Sequence, residues 1–253
     1  MTTVGVIFKK EDRLIAGTAR QVIKDLKKEG YQVDLNQAKF VISLGGDGTI
    51  LRATRLLAKR GIPILGVHLG GVGFLSEIEL EELKIALERI RAGKFKIDER
   101  TMLEAQVGAK KITALNDLVI TKSGIARVIK FELEGITRYT ADGLIFATAT
   151  GSTAYNLAAG GPLLLPNSQH IIISAICPHS LSNRSLVLDG PVTFVLQRGE
   201  GVILTADGQQ MVPVKVRQKV VVRKSKLKAR FIRIKDYGFF QRVKRTFGFG
   251  EGN

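Results

Sequence analysis

The residues best suited to chemistry are Gly45, Gly46, Asp47, Gly48 and Thr49. An apolar run at 40–44 precedes them, and a helical pattern starting at Ile50 follows. Glycines at a strand-to-helix turn let backbone approach a phosphate, and the first N–H groups of the helix bind it. Parallel α/β sheets hold ligands at this place, outside the carboxyl ends of their strands. No Gly-Lys-Ser/Thr follows, so this is not a Walker A loop, and the spacing is not Gly-x-Gly-x-x-Gly. Asp47 is the unusual member, because a carboxylate beside phosphates is costly unless it has a task. It could hold a metal ion that bridges the phosphates. It could accept the proton of an attacking hydroxyl, or it could cap the helix.

A second cluster begins at Asp142-Gly143, ahead of an apolar run at 144–148. It continues through Thr150, Gly151, Ser152, Thr153, Ala154, Tyr155, Asn156, Leu157, Ala158 and on to Pro162. Small and hydroxylic residues let a chain wrap closely around a ligand, and Tyr155 could stack on a base. The same composition also suits a tight turn packed on a sheet. Ser152 does not sit in a Gly-x-Ser-x-Gly elbow, which argues against a hydrolase nucleophile. Asn116-Asp117, at the start of a strand, is a polar pair that reads a ribose or an amide, or makes a turn. His179 and Arg184 follow an apolar strand at 171–176.

These residues need a frame to hold them. Through the first hundred positions, apolar runs at 4–8, 31–35, 40–44 and 62–67 alternate with helical stripes at 11–29, from 50 to about 58, and 80–90. That alternation predicts a parallel sheet covered by helices. Beyond Lys94 the helical period fades. β-rich segments at 103–107, 117–121, 128–133 and 144–148, and turns at Asp189-Gly190, 199–201 and Asp207-Gly208, predict an antiparallel sandwich. The expected domains are an α/β domain at 1–99, a β-rich domain at 100–230, and a C-terminal segment at 231–253.

Composition bounds the rest. The chain has 253 residues, 39 Lys+Arg against 23 Asp+Glu, and a formal charge of +16. Hydrophobic residues make up 45%, enough for a packed core and too many for a disordered chain. The single cysteine, Cys177, excludes an internal disulfide and a cysteine-based zinc site, and three histidines leave little for a histidine-based one. No apolar run reaches the roughly 18–20 residues of a membrane span. The first residues read as a strand and not as a signal peptide, so a cytoplasmic location without membrane partners is expected. Between Lys215 and Arg245 stand thirteen basic residues and one acid, Asp236. That strip is either a solvated strand face or an attractor of polyanions. With no Trp and four Tyr there is no evident base-stacking platform, so nucleic acid is not expected as a partner.

Taken together, the motifs resemble the NAD kinase family, in order and over nearly the whole chain. The matching pieces are residues 45–49, the run 66–75 ending Gly73-Phe74-Leu75, Asn116-Asp117, and 142–162. Pro178-His179-Ser180-Leu181, Asp207-Gly208-Gln209 and 236–240 complete the set. The glycine turn is shared with diacylglycerol-type lipid kinases and phosphofructokinases, whereas residues 150–162 are highly specific. The resemblance implies phosphorylation of the 2′-hydroxyl of the adenosine ribose of NAD, giving NADP. ATP or polyphosphate would be the donor, with a divalent metal ion, normally Mg²⁺, as cofactor and a homodimer or homotetramer as the assembly. It makes Asp47 the base and a dinucleotide contact, and the turn Gly45, Gly46, Gly48 and Thr49 the phosphate holder. Asn116, Asp117, Asp142, Thr150, Thr153, Ala154, Tyr155, Asn156, Leu157, Ala158 and Gln209 fall at NAD-contacting positions, and Arg52 and Arg127 at basic ligand positions. No residue is assigned as a metal ligand. This chain departs from the family at Ala149 and Ser185, where Pro is usual, at His68, where Asn is usual, and at Gly71-Val72, which lacks a basic residue. The competing readings are a lipid kinase sharing the glycine turn and a non-catalytic nucleotide or nucleic-acid binder using the basic strip.

Overall fold

A computed structural model of the chain describes residues 2–70, 73–124, 128–235 and 238–248. The chain divides into two units, one made of 1–99 with 229–253 and the other of 100–228.

In the first unit β1 (Thr3–Phe8), β2 (Gln32–Val33), β3 (Phe40–Leu44), β4 (Ile64–His68) and β5 (Ile78–Glu79) pair in parallel, in the order β5–β4–β3–β1–β2. Strands β3 and β4 are buried at every residue, as expected for parallel strands covered on both faces. Helix α1 (Arg13–Lys28) starts at Asp12, whose carboxylate accepts from Leu14 N and Ile15 N at 3.0 and 3.1 Å. It ends with Lys27 and Lys28 in its last turn and Gly30 in the left-handed region (φ 83°), so both ends are satisfied. Helices α2 (Asp47–Leu57) and α3 (Leu83–Arg91) complete the repeating pattern. Phe40, Ile42, Leu44, Leu65, Val67, Leu26 and Ile232 form the core of this unit.

The second unit is built almost wholly of antiparallel strands. They are β6 (Lys96–Val107, whose first residues belong to the first unit), β7 (Lys110–Ala114), β8 (Asp117–Lys122), β9 (Ile129–Leu133), β10 (Thr137–Ala141) and β11 (Gly143–Ala147). After the short helix α4 (Tyr155–Ala158) come β12 (Ile171–Ile176), β13 (Leu186–Leu188), β14 (Val192–Arg198), β15 (Val202–Ala206), β16 (Gln210–Pro213) and β17 (Lys219–Arg233). One sheet runs β13–β12–β11–β8–β15–β16; in the other, β10, β9, β14 and β17 are successive neighbours and β6 pairs with β7. The inner faces meet through residues such as Phe146 on β11 and Phe194 on β14, whose rings stack at 5.7 Å. Both are fully buried. The predicted fold class, a parallel α/β part followed by an antiparallel sandwich, is the one observed.

The C-terminal residues form a helix that the hydrophobic pattern does not announce, α5 (Phe239–Phe247). The last residues of β17 and α5 belong to the first unit, where Phe231 pairs with Ile64 of β4.

Candidate functional site

In the first unit the glycine turn joins β3 to α2. Gly45 has φ 136°, a conformation other residues rarely adopt, and a Cβ there would lie 2.7 Å from Thr49 Oγ1. Its N–H donates to Val67 O on β4 at 2.9 Å, so the turn is tied to the neighbouring strand. Gly46 is the N-cap of α2 and makes no side-chain cap bond, while Asp47 is the first helical residue. Asp47 therefore does not cap its own helix. Its carboxylate accepts instead from Phe74 N (2.8 Å, to Oδ2) and Leu75 N (3.1 Å, to Oδ1). A Cβ on Gly73 would stand 2.1 Å from Asp47 Oδ1, so only glycine lets this loop press against the carboxylate. Gly46 and Gly48 are exposed and Thr49 is half-buried; Arg52, one turn further, is half-buried on α2.

Sequence reasoning missed what holds that loop. Glu77, 5% exposed, pairs with Arg233 at 3.0 Å and accepts from Ile234 N and Lys235 N, both at 2.8 Å. Arg233 also donates to Asp98 at 3.0 Å and to Leu75 O at 3.2 Å. From α5, Arg242 Nη1 donates to Phe74 O (3.0 Å) and Ser76 O (2.8 Å). The Phe74 ring stacks on Phe247 at 5.2 Å and meets Phe239 edge-on at 6.4 Å. The available signal was an arginine within an otherwise apolar strand end, Phe231-Ile232-Arg233-Ile234.

His68, at the end of β4, is 7% exposed, and its Nδ1 lies 3.0 Å from Gly70 O. Its Nε2 is 3.8 Å from Glu79. This departure from the family pattern thus fastens the loop leaving β4. Gly71, Val72, Arg127, Asp236 and Tyr237 lie outside the described residues.

In the second unit the chain around 148–162 is folded against Asn116 and Asp117. Thr148 N donates to Asn116 O at 2.9 Å, Thr148 Oγ1 donates to Leu115 O at 2.6 Å, and Gly151 N donates to Thr148 Oγ1 at 3.0 Å. The approach at Gly151 is so close that a Cβ would fall 2.1 Å from Asn116 O. At Gly161 a Cβ would fall 2.0 Å from Asn156 Oδ1. Ser152 is fully buried; its hydroxyl donates to Ala149 O (2.7 Å) and accepts from Leu164 N (3.1 Å). A nucleophilic role for it is thereby excluded.

Asn156, also fully buried, has its side chain engaged within the protein. Its Nδ2 donates to Ser152 O and Pro162 O at 3.3 and 3.1 Å. Its Oδ1 accepts from Ser174 Oγ at 2.8 Å. A hydroxyl has one proton, so Ser174 accepts in turn from Ser185, 2.8 Å away. Ser185, the second departure in this region, therefore completes a hydrogen-bond chain ending on Asn156.

Thr150 Oγ1 accepts from Arg100 at 3.4 Å, and Thr153 Oγ1 donates to Thr150 O. Tyr155 is 47% exposed and Ala158 is exposed, whereas Ala154 and Leu157 are half-buried. Asp142 is half-buried at the head of β11, and Gln209 is exposed in the turn after β15.

Asp207, in the left-handed region (φ 50°), turns its carboxylate onto three successive amides. It accepts from Leu115 N, Asn116 N and Asp117 N at 2.9, 2.7 and 3.2 Å. Asp117 is 6% exposed. Burial, reinforced by the Asp207 charge, pushes its carboxyl up to about 7. It is thus poised between its two protonation states near neutrality.

Part of the basic strip is paired. Lys219 meets Glu134, Arg223 meets Glu104, Lys224 meets Asp189 and Arg230 meets Glu99, all within 3.2 Å. Acids remote in sequence offset part of what looks like an unbalanced run. Among the described residues no helix is long and apolar enough to cross a membrane.

Two units with a glycine turn in one and a tightly wrapped hydroxylic loop in the other define a class that known proteins share. Residues 4–95 match the ATP-NAD kinase N-terminal domain, and residues 115–234 match the ATP-NAD kinase C-terminal domain. The NAD kinase of Moorella thermoacetica is 44% identical over 275 aligned positions, covering 96% of this chain and 88% of that protein. That of Carboxydothermus hydrogenoformans is 42% identical over 245, covering 92% and 86%. Among solved structures, an NAD kinase from Archaeoglobus fulgidus in complex with ATP superposes with a TM-score of 0.79 at 27% identity, covering 98% of each chain. A yeast NADH kinase complexed with NADH shares the fold, with a TM-score of 0.89 at 22% identity over 100% of this chain and 89% of that one. The chain belongs to the NAD kinase family.

Proposed function

We propose that the protein transfers a phosphoryl group from ATP to the 2′-hydroxyl of the adenosine ribose of NAD, forming NADP and ADP, with polyphosphate as an alternative donor. Beyond family membership, one observation supports this most: a carboxylate set inside a glycine turn and oriented by the Phe74 and Leu75 amides. Phosphoryl transfer needs positioning and charge stabilisation more than covalent help from the protein. The ribose oxygen attacks the terminal phosphorus, the bond to the bridging oxygen breaks, ADP departs with that electron pair, and Asp47 takes the hydroxyl proton. The turn's exposed backbone at Gly46 and Gly48 holds phosphate oxygens. Asn116, Asp117, Asp142, Thr150, Thr153, Tyr155 and Gln209 hold the dinucleotide, with Tyr155 free to stack on a base. Asn156, whose side chain is occupied, shapes that loop through its backbone and its hydrogen-bond chain.

Among the described residues no three His, Cys, Asp or Glu gather as a metal cage. Mg²⁺ commonly binds through substrate phosphates, water and one or two carboxylates. Asp47, whose oxygens each accept one described amide, keeps lone pairs for such an ion. When bound, the ion would neutralise charge on the donor phosphates. We place the enzyme in the cytoplasm as a homodimer or homotetramer, an assembly that light scattering would read.

The test is transfer of labelled phosphate from ATP, and separately from polyphosphate, to NAD, to diacylglycerol and to no acceptor. The expected product is NADP labelled at the 2′-position. Label on diacylglycerol alone would favour the lipid-kinase reading, and none on any acceptor a binding protein.

A further inference from the structure

We propose that Arg242, on the C-terminal helix, is a positioning residue for this reaction and acts on Asp47 through a single peptide group. The inference rests on Asp47 being the base. Asp47 stands on the first turn of α2, and its described hydrogen-bond partners there are Phe74 N and Leu75 N. Those amides belong to a segment outside any helix or strand, so something else must fix their direction.

The peptide joining Phe74 to Leu75 carries both halves of the link. Its carbonyl oxygen, Phe74 O, accepts from Arg242 Nη1 at 3.0 Å, and its N–H, that of Leu75, donates to Asp47 Oδ1 at 3.1 Å. A peptide unit is planar and trans, so fixing the C=O fixes the opposite N–H. A charged donor on the oxygen also polarises the group and strengthens its N–H as a donor. The same guanidinium nitrogen reaches Ser76 O at 2.8 Å, which holds the next turn of the loop.

Arg242 is itself held. Its side chain is 16% exposed, and its Nη2 lies 3.8 Å from the buried Glu77 carboxylate that also pairs with Arg233. Phe247, from the same helix, stacks on the Phe74 ring and grips the loop a second time. One helix thus fastens both the backbone and the side chain of the residue that contacts the base.

A helix that merely glued the terminus down would show similar contacts, so the test must separate the two roles. It is a double-mutant cycle between Asp47→Asn and Arg242→Ala in the full-length enzyme. Arg242→Ala should lower kcat about 10- to 100-fold, the scale of a misplaced catalytic group, with KM for NAD and ATP nearly unchanged. Free guanidinium, well below denaturing concentration, should restore much of the lost rate. In the Asp47→Asn background the same change should cost nothing further, because its route to the chemistry is gone.

Equal losses of kcat in both backgrounds would overturn the proposal, as would a rise in KM at unchanged kcat. Wild-type turnover in Asp47→Asn alone would overturn the base assignment instead, a separate and distinguishable failure. If Arg242→Ala does not fold, Phe247→Leu, which loosens Phe74 without removing a charge, enters the same cycle without the guanidinium rescue: a kcat loss that vanishes in the Asp47→Asn background supports the proposal, and equal losses in both backgrounds overturn it.

Discussion

Two aspartates, one in each unit, receive backbone amides in much the same way but sit in different settings. Asp47 accepts two amides from a segment 27 and 28 residues onward, which is held by a cluster of Glu77, Arg233 and Arg242. Asp207 accepts three amides from 115–117, the bend where β7 passes into β8, and of these only Asp117 lies in a strand. The first carboxylate stays half-buried with lone pairs to offer, on a turn whose neighbours are exposed glycines. The second closes a strand junction and places its charge against Asp117. The same device, a carboxylate on backbone N–H groups, orients the proposed base in one unit and closes a strand junction in the other.

Exchanging the chemistry of the two should separate their effects. The largest is in turnover. Asp47→Asn should lower kcat by about 10²–10⁴-fold, the usual scale of a lost general base, with a modest fall in melting temperature because Asn keeps one acceptor oxygen for two amides. Asp207→Ala should do the reverse, removing about 1–3 kcal/mol or more of stability as its amides lose their acceptor, read by urea unfolding.

A pH effect of comparable size belongs to the second unit. Asp117 has an ordinary value near 3.8 when unfolded and about 7 when folded. The folded state therefore binds more protons between those values, and the stability this group contributes is complete below pH 4 and lost as pH rises to 7. The loss is roughly 4 kcal/mol, since a tenfold change in proton affinity is worth about 1.4 kcal/mol. Unfolding curves at pH 5 and pH 8 should differ less in Asp117→Asn than in the wild type. An equal difference would remove Asp117 as the source.

Smaller again is Gly151→Ala. Its methyl would fall 2.1 Å from Asn116 O, so the wrapped loop must shift. Overpacking of this kind costs about 1–3 kcal/mol and should weaken NAD more than ATP in calorimetric titrations. The least change is expected from neutralising Lys224, Lys226 and Lys228 together. Lys224 pairs with Asp189 and Lys228 donates to Thr101, so the salt dependence of KM for ATP should hardly move.

Much of this was legible in the sequence because it is local. The glycine turn, the apolar strand before it and the helix after it are contiguous, and their alternation fixes a parallel sheet. The 150–162 stretch was legible as a close-packed loop, since Gly151 and Gly161 stand where a Cβ cannot fit. The rest depends on pairings between remote residues. Glu77 and Arg233 are 156 positions apart, and neither carries a local pattern that names its partner. The partners of the basic strip are of the same kind, since the acids that offset part of its charge, from Glu77 to Asp189, are remote in sequence. Helix α5 was obscured because its apolar residues, Phe239, Phe240, Val243 and Phe247, lie among Arg and Lys beside a glycine.

The most direct test of the account is single-turnover formation of NADP by wild type and Asp47→Asn, each saturated with NAD, mixed with ATP and Mg²⁺, with NAD affinity measured in parallel. The expected result is an NAD dissociation constant little changed and a transfer rate at least about 100-fold slower in the variant. A variant that transfers phosphate within a few-fold of wild type would contradict it, and so would one that has lost NAD binding and rate together.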